Sequence, residues 1–324
     1  MFYVLATALC LAVMLLVLVG GSLLCVPVAR LALKIFPTTT PGRKANLLFS
    51  VRLLPLALTC MVTFGLALPA FLAFEPYSTK EGMGLRLMTL AILGALLLAG
   101  MMARGVNILR ATRKAHHVWR ERAEIMDISG LRVPVYRVES GASLLAVTGI
   151  FRPRIFVARE ITEMLSPDEL RAALAHEMAH VWSFDNLKQL LLKITRAPRW
   201  LSALYHMDTE WTSASEIAAD YGALEEGASV LDLSSALIKV GRLKRPPVAR
   251  ESVASHLVPT ACSGALETRV TCLSEILEGT GIAYARDGKR GSMLLPVIIP
   301  LALYLALIPV VLPAVHEALE FLVR

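Results

Sequence analysis

The chain has 324 residues, of which 56% are hydrophobic and 18% charged, with a mean hydropathy of +0.60. The length would fit two soluble domains, but the composition does not, so the chain reads as an integral membrane protein. The net charge of +7 comes from arginines and lysines clustered beside the apolar runs. That pattern suits contact with anionic lipid and gives no footing for direct nucleic acid binding.

Four runs approach the 20 or so residues a helix needs to cross the hydrocarbon core: about 2–29, 53–74, 87–103 and 293–315. The first lacks a basic leader and is followed by Arg30 and Lys34, so a retained helix with its N-terminus outside fits better than a secretion signal. Ser22-Leu23-Leu24 before Cys25 is a poor lipidation site. Loop one carries Arg30, Lys34, Arg43 and Lys44 without an acid, whereas Lys80 and Arg86 in the next loop are balanced by Glu75 and Glu81. The long stretch that follows opens with Arg104, Arg110, Arg113, Lys114, Arg120 and Arg122 and closes with Lys289 and Arg290. Positive charge marks the cytoplasmic side, so loop one and this stretch are expected inside, with both termini outside a cell membrane, inner or plasma. The expected division is a membrane part at 1–103, a cytoplasmic domain at 104–291, and a fourth span with a short tail at 292–324.

Within the soluble region, Arg104 to Ile128 reads as a basic helix leaving the membrane, and the adjacent His116 and His117 point different ways on it, which suits a solvated or headgroup-facing role better than a metal pair. Two β-like runs follow, Leu131 to Val138 and Arg154 to Ala158, separated by Gly141, Gly149 and Pro153. A helix is then predicted from Pro167. Ser166 is its cap, Pro167 its first residue, and Glu169 the capping-box partner three positions on.

That helix carries His176-Glu177-Met178-Ala179-His180, an H-E-x-x-H motif. Positions i and i+4 share a helix face, so both imidazoles can reach one Zn²⁺ while Glu177 addresses its water. Asp185 is expected to cap the next helix, with a role behind His180 as the alternative. A third metal ligand must come from elsewhere. Glu216 is the leading candidate, with Asp220 one turn after it on the same face; His206, Asp208 and Glu210 are rivals by chemistry, and Ser213-x-x-Glu216 would also suit a capping box. Cys10, Cys25 and Cys60 fall in the apolar runs. Cys262 and Cys272 form no C-x-x-C, so a disulfide framework is not expected.

Gly149-Ile150-Phe151-Arg152-Pro153-Arg154-Ile155, Leu165-Ser166-Pro167-Asp168-Glu169-Leu170, the H-E-x-x-H with Asp185-Asn186-Leu187, and Glu216-x-x-x-Asp220 together resemble the BlaR/MecR-type membrane metallopeptidases. The resemblance covers about half the chain, mainly Val133 to Leu224. It implies an α+β zincin-like (gluzincin) domain inserted between transmembrane helices three and four, one catalytic Zn²⁺ on His176, His180 and Glu216, Glu177 as catalytic base, and Asp220 behind a ligand. A looser likeness of His256 and Glu267-Thr268-Arg269-Val270 to HtpX-like peptidases offers His256 and Arg269 as stabilisers of the oxyanion, against the alternative of an ordinary surface histidine and a helix-surface arginine. The penicillin-binding sensor of β-lactam-detecting members is not expected in this sequence, and a separate partner protein could supply a sensor.

The reading is therefore a membrane-bound zinc endopeptidase acting on a protein or peptide, such as a repressor or its own loop, in signal transduction. Its enzymatic rival is an intramembrane protease, disfavoured because Asp168, Glu169, Arg171, Asp185 and Lys188 crowd the motif. The other rival is a non-catalytic regulator that keeps the fold and binds a partner.

Overall fold

A computed structural model describes residues 1–35, 40–75, 84–121, 123–128, 133–139, 145–196, 202–243, 254–256, 263–278 and 310–321. Its contacts divide the chain into two units, Met1–Leu31 with Ser50–Met102 and Ala285–Arg324, and Ala32–Phe49 with Ala103–Tyr284.

Long helices dominate the first unit: α1 (Phe2–Ile35), α2 (Pro41–Val62), which passes through a π-turn at Thr63–Ala67 into α3 (Leu68–Phe74), and α4 (Leu85–Arg120); the end of α1, the start of α2 and α4 beyond Met102 are counted with the second unit. Each of the stretches Phe2–Ile35, Pro41–Phe74 and Leu85–Arg120 is long and apolar enough to cross a membrane. Small residues let them pack closely. A Cβ on Gly94 would lie 2.3 Å from the Leu11 carbonyl oxygen, so only glycine allows α4 to lie against α1 there. Leu9, Ala12, Ala67, Ala70, Phe71 and Leu87 are buried together around that contact.

The helices outrun the apolar stretches predicted for them. α2 begins at Pro41, so Arg43 and Lys44 are helical and not in a loop, and α4 continues to Arg120. Helical hydrogen bonds are made within the segment and do not stop where hydrophobicity does. The helix expected to reach Ile128 ends earlier, because Ala123–Met126 forms β1, paired with β2 (Val135–Val138); cross-strand pairing overrides local helix preference. Of the fourth predicted span, residues 293–309 lie outside the described residues, and 310–321 are helical.

In the second unit a five-stranded sheet is ordered β1-β2-β4-β3-β5. It is completed by β3 (Leu145–Thr148), β4 (Arg154–Ala158) and β5 (Ala254–His256). β2 and β4 are parallel, and β3 is antiparallel to both β4 and β5. β4 coincides with the predicted run. β3 is an unforeseen strand, all four of its residues buried, and a run so short carries little periodicity to detect.

Phe156 of β4 is fully buried, with Tyr136 stacked on it at 5.3 Å between ring centroids and Trp119 of α4 at 5.7 Å. The sheet shares one core with α6 (Pro167–Trp182), α9 (Val230–Gly241) and α10 (Ser263–Leu277), through Leu174, Leu233, Leu237 and Leu273. α5 (Arg159–Met164), α7 (Asp185–Ile194) and α8 (Ser202–Glu225) complete the unit. A second cluster joins Leu48 to Leu192 of α7 and Trp211 of α8.

Candidate metal centre

α6 starts where its cap residues place it. Ser166 Oγ accepts from the Glu169 N–H at 3.2 Å, and the Glu169 carboxylate accepts from the Ser166 N–H at 2.8 Å, a complete capping box with Pro167 at the first position. Glu169 is also tied to α9, accepting from Lys239 Nζ at 2.7 Å and from the Ser235 hydroxyl. Lys239 first, then Ser235, hold its carboxyl down at about 2. The helix carrying the motif is thus fixed at its start by its own cap and by its neighbour.

His176, Glu177 and His180 are all buried, at 0%, 0% and 3% exposure. The two Nε2 atoms face each other 3.2 Å apart. Glu216 on α8 brings one carboxylate oxygen to 3.6 Å from His176 Nε2 and the other to 3.7 Å from His180 Nε2. Among the described residues, His176, His180 and Glu216 are the one group of three side chains whose ligand atoms all lie within 4.8 Å of one another. His206, Asp208 and Glu210 lie earlier on α8 and do not join it.

A carboxylate stands behind each imidazole. His176 Nδ1 is 2.9 Å from Asp220 Oδ1, and His180 Nδ1 is 2.7 Å from Asp185 Oδ2. Each Nδ1 therefore carries the hydrogen, which leaves both Nε2 lone pairs aimed at one point. At 3.2 Å the two nitrogens need either a shared proton or a cation between them. Burial and its charged neighbours oppose protonation of each imidazole, yet the carboxylates outweigh them and raise both pKa values. The group as a whole sets the carboxyls of Glu177, Asp185, Glu216 and Asp220 against the cations Arg269 and Lys188. A divalent cation with nitrogen and oxygen ligands fits this donor set.

The expected cap role of Asp185 needs correction. It is the first residue of α7, and the cap position belongs to Phe184, held in the left-handed region at φ 55°. This backbone turn aims the Asp185 carboxylate back at His180. The alternative raised for Asp185, behind the ligand, is the arrangement found.

Glu177 is fixed at one oxygen. The Val147 N–H of β3 donates to Oε2 at 3.2 Å, while Oε1 is buried with no hydrogen-bond partner among the described residues. Burial, reinforced by the Glu216 carboxylate against the opposing His180, pushes its carboxyl up to about 8. Asn186 holds the strand in turn: its side-chain amide donates to the carbonyls of Val147 at 3.3 Å and Gly149 at 3.0 Å. Gly149 is at φ +96°, and a Cβ there would lie 2.5 Å from the Arg152 carbonyl oxygen, so the turn that orients this strand end requires glycine.

Arg269 of α10 is 1% exposed. Its Nε donates to Asp220 Oδ2 at 2.7 Å, its Nη2 to Asp220 Oδ1, and its Nη1 to Glu216 Oε2 at 2.9 Å. Burial alone would raise the Asp220 carboxyl, but Arg269 and His176 hold it at about 2. His176, then Arg269 and His180, keep Glu216 below its ordinary value despite burial. His256 lies in β5, its backbone opposite Ala146 of β3.

Sequence reasoning missed the Val147 amide, the Asn186 clamp and Gly222 of α8, where an added Cβ would lie 2.9 Å from the Ala179 Cβ of the motif helix. The first has no side-chain signature at all. The other two stood in plain view, Asn186 beside Asp185 and Gly222 within a helix, where glycine costs about 1 kcal/mol and asks for a packing reason.

The family model for the BlaR1 peptidase, M56, matches residues 74–273, more than half of the chain. The chain belongs to the M56 peptidase family. No curated protein matches it. With three apolar helices of spanning length among the described residues, this M56 peptidase is a membrane-associated metallopeptidase. The matched region runs through every residue of the buried cluster, from Val147 to Arg269.

Proposed function

We propose that the chain is a zinc endopeptidase of the gluzincin type, its α+β domain inserted between the third and fourth membrane spans and facing the cytoplasm. The observation that carries this reading is the convergence of His176 Nε2, His180 Nε2 and the Glu216 carboxylate beside Glu177 Oε1. His176, His180 and Glu216 would hold the ion. Bound zinc supplies Lewis-acid polarisation of a carbonyl and a water acidic enough to ionise near neutral pH.

The chain's own residues do the rest. Glu177 Oε1 takes a proton from the attacking water and returns it to the leaving amine, while the Val147 amide keeps Oε2 in place so that Oε1 stays aimed. Asp185 and Asp220 fix the imidazole tautomers through Nδ1. Arg269 acts through Asp220 and Glu216, positioning both and balancing their charge. The cluster's burial excludes bulk water and strengthens each of these interactions. The substrate class is a cytoplasmic or membrane protein, in keeping with a catalytic domain tethered at the bilayer.

Glu177→Gln tests this directly. It keeps the volume and the bond from Val147 but cannot take up the proton, so zinc content should be unchanged and proteolysis lost by about 10²-fold or more. Proteomic comparison of cells carrying each form should show a fragment that depends on the glutamate. Unchanged turnover by Glu177→Gln would refute the assignment.

A further inference from the structure

A cavity of about 970 Å³ opens on the second unit away from the motif, between the end of α4 and the turn joining β3 to β4. Thr112, Arg113, His116, His117, Arg120 and Glu121 line one side, and Gly149, Phe151, Arg152 and Arg154 the other. We propose that this pocket binds a phosphate group, held by Arg113, Arg120 and Arg152.

The charge is one-sided. Four arginines line the cavity against one acid, Glu121, and that acid is already 3.2 Å from His117. Arg154 is oriented by the protein: it donates to His116 Nε2 at 2.7 Å and lies 5.9 Å from the Tyr136 ring centre. The His116 ring is in turn anchored through Nδ1 to Thr148 Oγ1 at 3.3 Å. Arg113, Arg120 and Arg152 are exposed and have no ion pair among the described residues. Like charges gathered around a concavity repel one another unless an anion joins them. Guanidinium forks match the oxygens of phosphate in geometry as well as charge. The cavity is also within the size range of small-ligand sites.

The source of the phosphate is narrowed by α4. Arg113 and Arg120 lie 10 and 17 residues beyond Ala103, where the apolar stretch ends, which is about 15 and 25 Å along a helix. A soluble phosphate ester reaches that depth more readily than a lipid headgroup. Phe151, 88% exposed beside Arg152, offers a flat apolar surface to the remainder of such a ligand.

Occupancy would reach the metal centre through β3. Gly149 and the Thr148-anchored His116 line the pocket, and the preceding residue, Val147, gives its N–H to Glu177. An anion bridging Arg152 to Arg113 and Arg120 would tie the turn after β3 to α4 and steady that amide. The inference stands on the pocket alone and does not depend on the peptidase reading.

The test uses the full-length chain in phosphatidylcholine nanodiscs with metal removed by chelation, so that no ion offers phosphate a rival site. Calorimetric titration with pyrophosphate, and with adenosine diphosphate, should give saturable binding that weakens roughly tenfold or more in Arg113→Ala/Arg152→Ala. Amide exchange at Val147 and Thr148 should slow on binding in the wild type only. A parallel arm puts phosphatidylglycerol in the nanodisc: slowed exchange there, abolished by the same substitutions, would support the site with a lipid source. Absence of binding in both arms, or binding that the double substitution leaves unchanged, would overturn the proposal.

Discussion

Gly222 on α8 lies against Ala179, inside the H-E-x-x-H motif on α6, so closely that a Cβ added to it would stand 2.9 Å from the Ala179 Cβ. Carbon atoms in contact prefer about 3.5–4.0 Å, so Gly222→Ala should push the helices apart locally by roughly 0.6–1 Å. Overpacking of this kind costs about 1–3 kcal/mol, and the better helix propensity of alanine returns about 1 kcal/mol, leaving a net loss of about 0–2 kcal/mol. The larger effect falls on the metal. Glu216 rides on the same helix, and metal sites tolerate ligand displacements of only about 0.2 Å. Zinc affinity, measured by competition with a fluorescent chelator, should fall about tenfold, and proteolysis of labelled casein on the order of 100-fold. The double substitution Ala179→Gly/Gly222→Ala moves the methyl group across the interface without changing summed propensity, and should recover most of both losses. A Gly222→Ala variant with zinc affinity and turnover within about twofold of wild type would show that the close approach does not set the ligand geometry.

Asp185→Asn should weaken zinc binding by about 10–100-fold with little change in thermal stability, read by the same competition. Asp220→Asn should add an unfolding penalty of about 3 kcal/mol, because it also strips Arg269 of its bidentate partner in a buried site; equal stability for the two variants would contradict this. Glu169→Gln keeps a capping-box residue but loses the ion pair to Lys239. With its pKa depressed to about 2, Glu169 contributes stability that is present above its ordinary value of 4.5 and lost as pH falls toward 2. The difference in denaturant midpoint between wild type and Glu169→Gln should therefore close over that interval, and a gap constant from pH 7 to 2 would be inconsistent. Asn186→Ala should lower turnover more than zinc affinity, since it frees the strand that aims Glu177; parallel loss of both would place its role elsewhere.

What could be read from the sequence was what depends on local periodicity. The cap at Ser166 and the i, i+4 histidines are properties of one helix, and the structure places them as expected. Glu216 and Asp220 were legible as a pair at one-turn spacing, though nothing local fixed the distance from α8 to α6; that is set by Gly222 and Ala179. β3 escaped because four buried residues have no alternation, and β1 because Ala123–Met126 becomes a strand only by pairing with β2. The cap expectation for Asp185 failed because a left-handed phenylalanine, an uncommon conformation for a bulky residue, took the cap position instead. Arg269 was visible as a charged residue on a helix, but its burial among carboxylates comes from the packing of α10, which brings it to Asp220 across 49 residues of chain.

The order of the elements along the chain has a consequence for biogenesis. The histidines and their carboxylates emerge from the ribosome within 45 residues of one another, from His176 to Asp220, whereas Arg269 follows only with α10. Until then Asp220 and Glu216 must share a shrinking core without their main counter-charge, and closing that gap is a long-range contact that forms slowly. The nascent chain would thus pass through a stage in which the motif helix is made but its acidic flank resists burial. α10, made later, brings the arginine that balances Asp220 and Glu216.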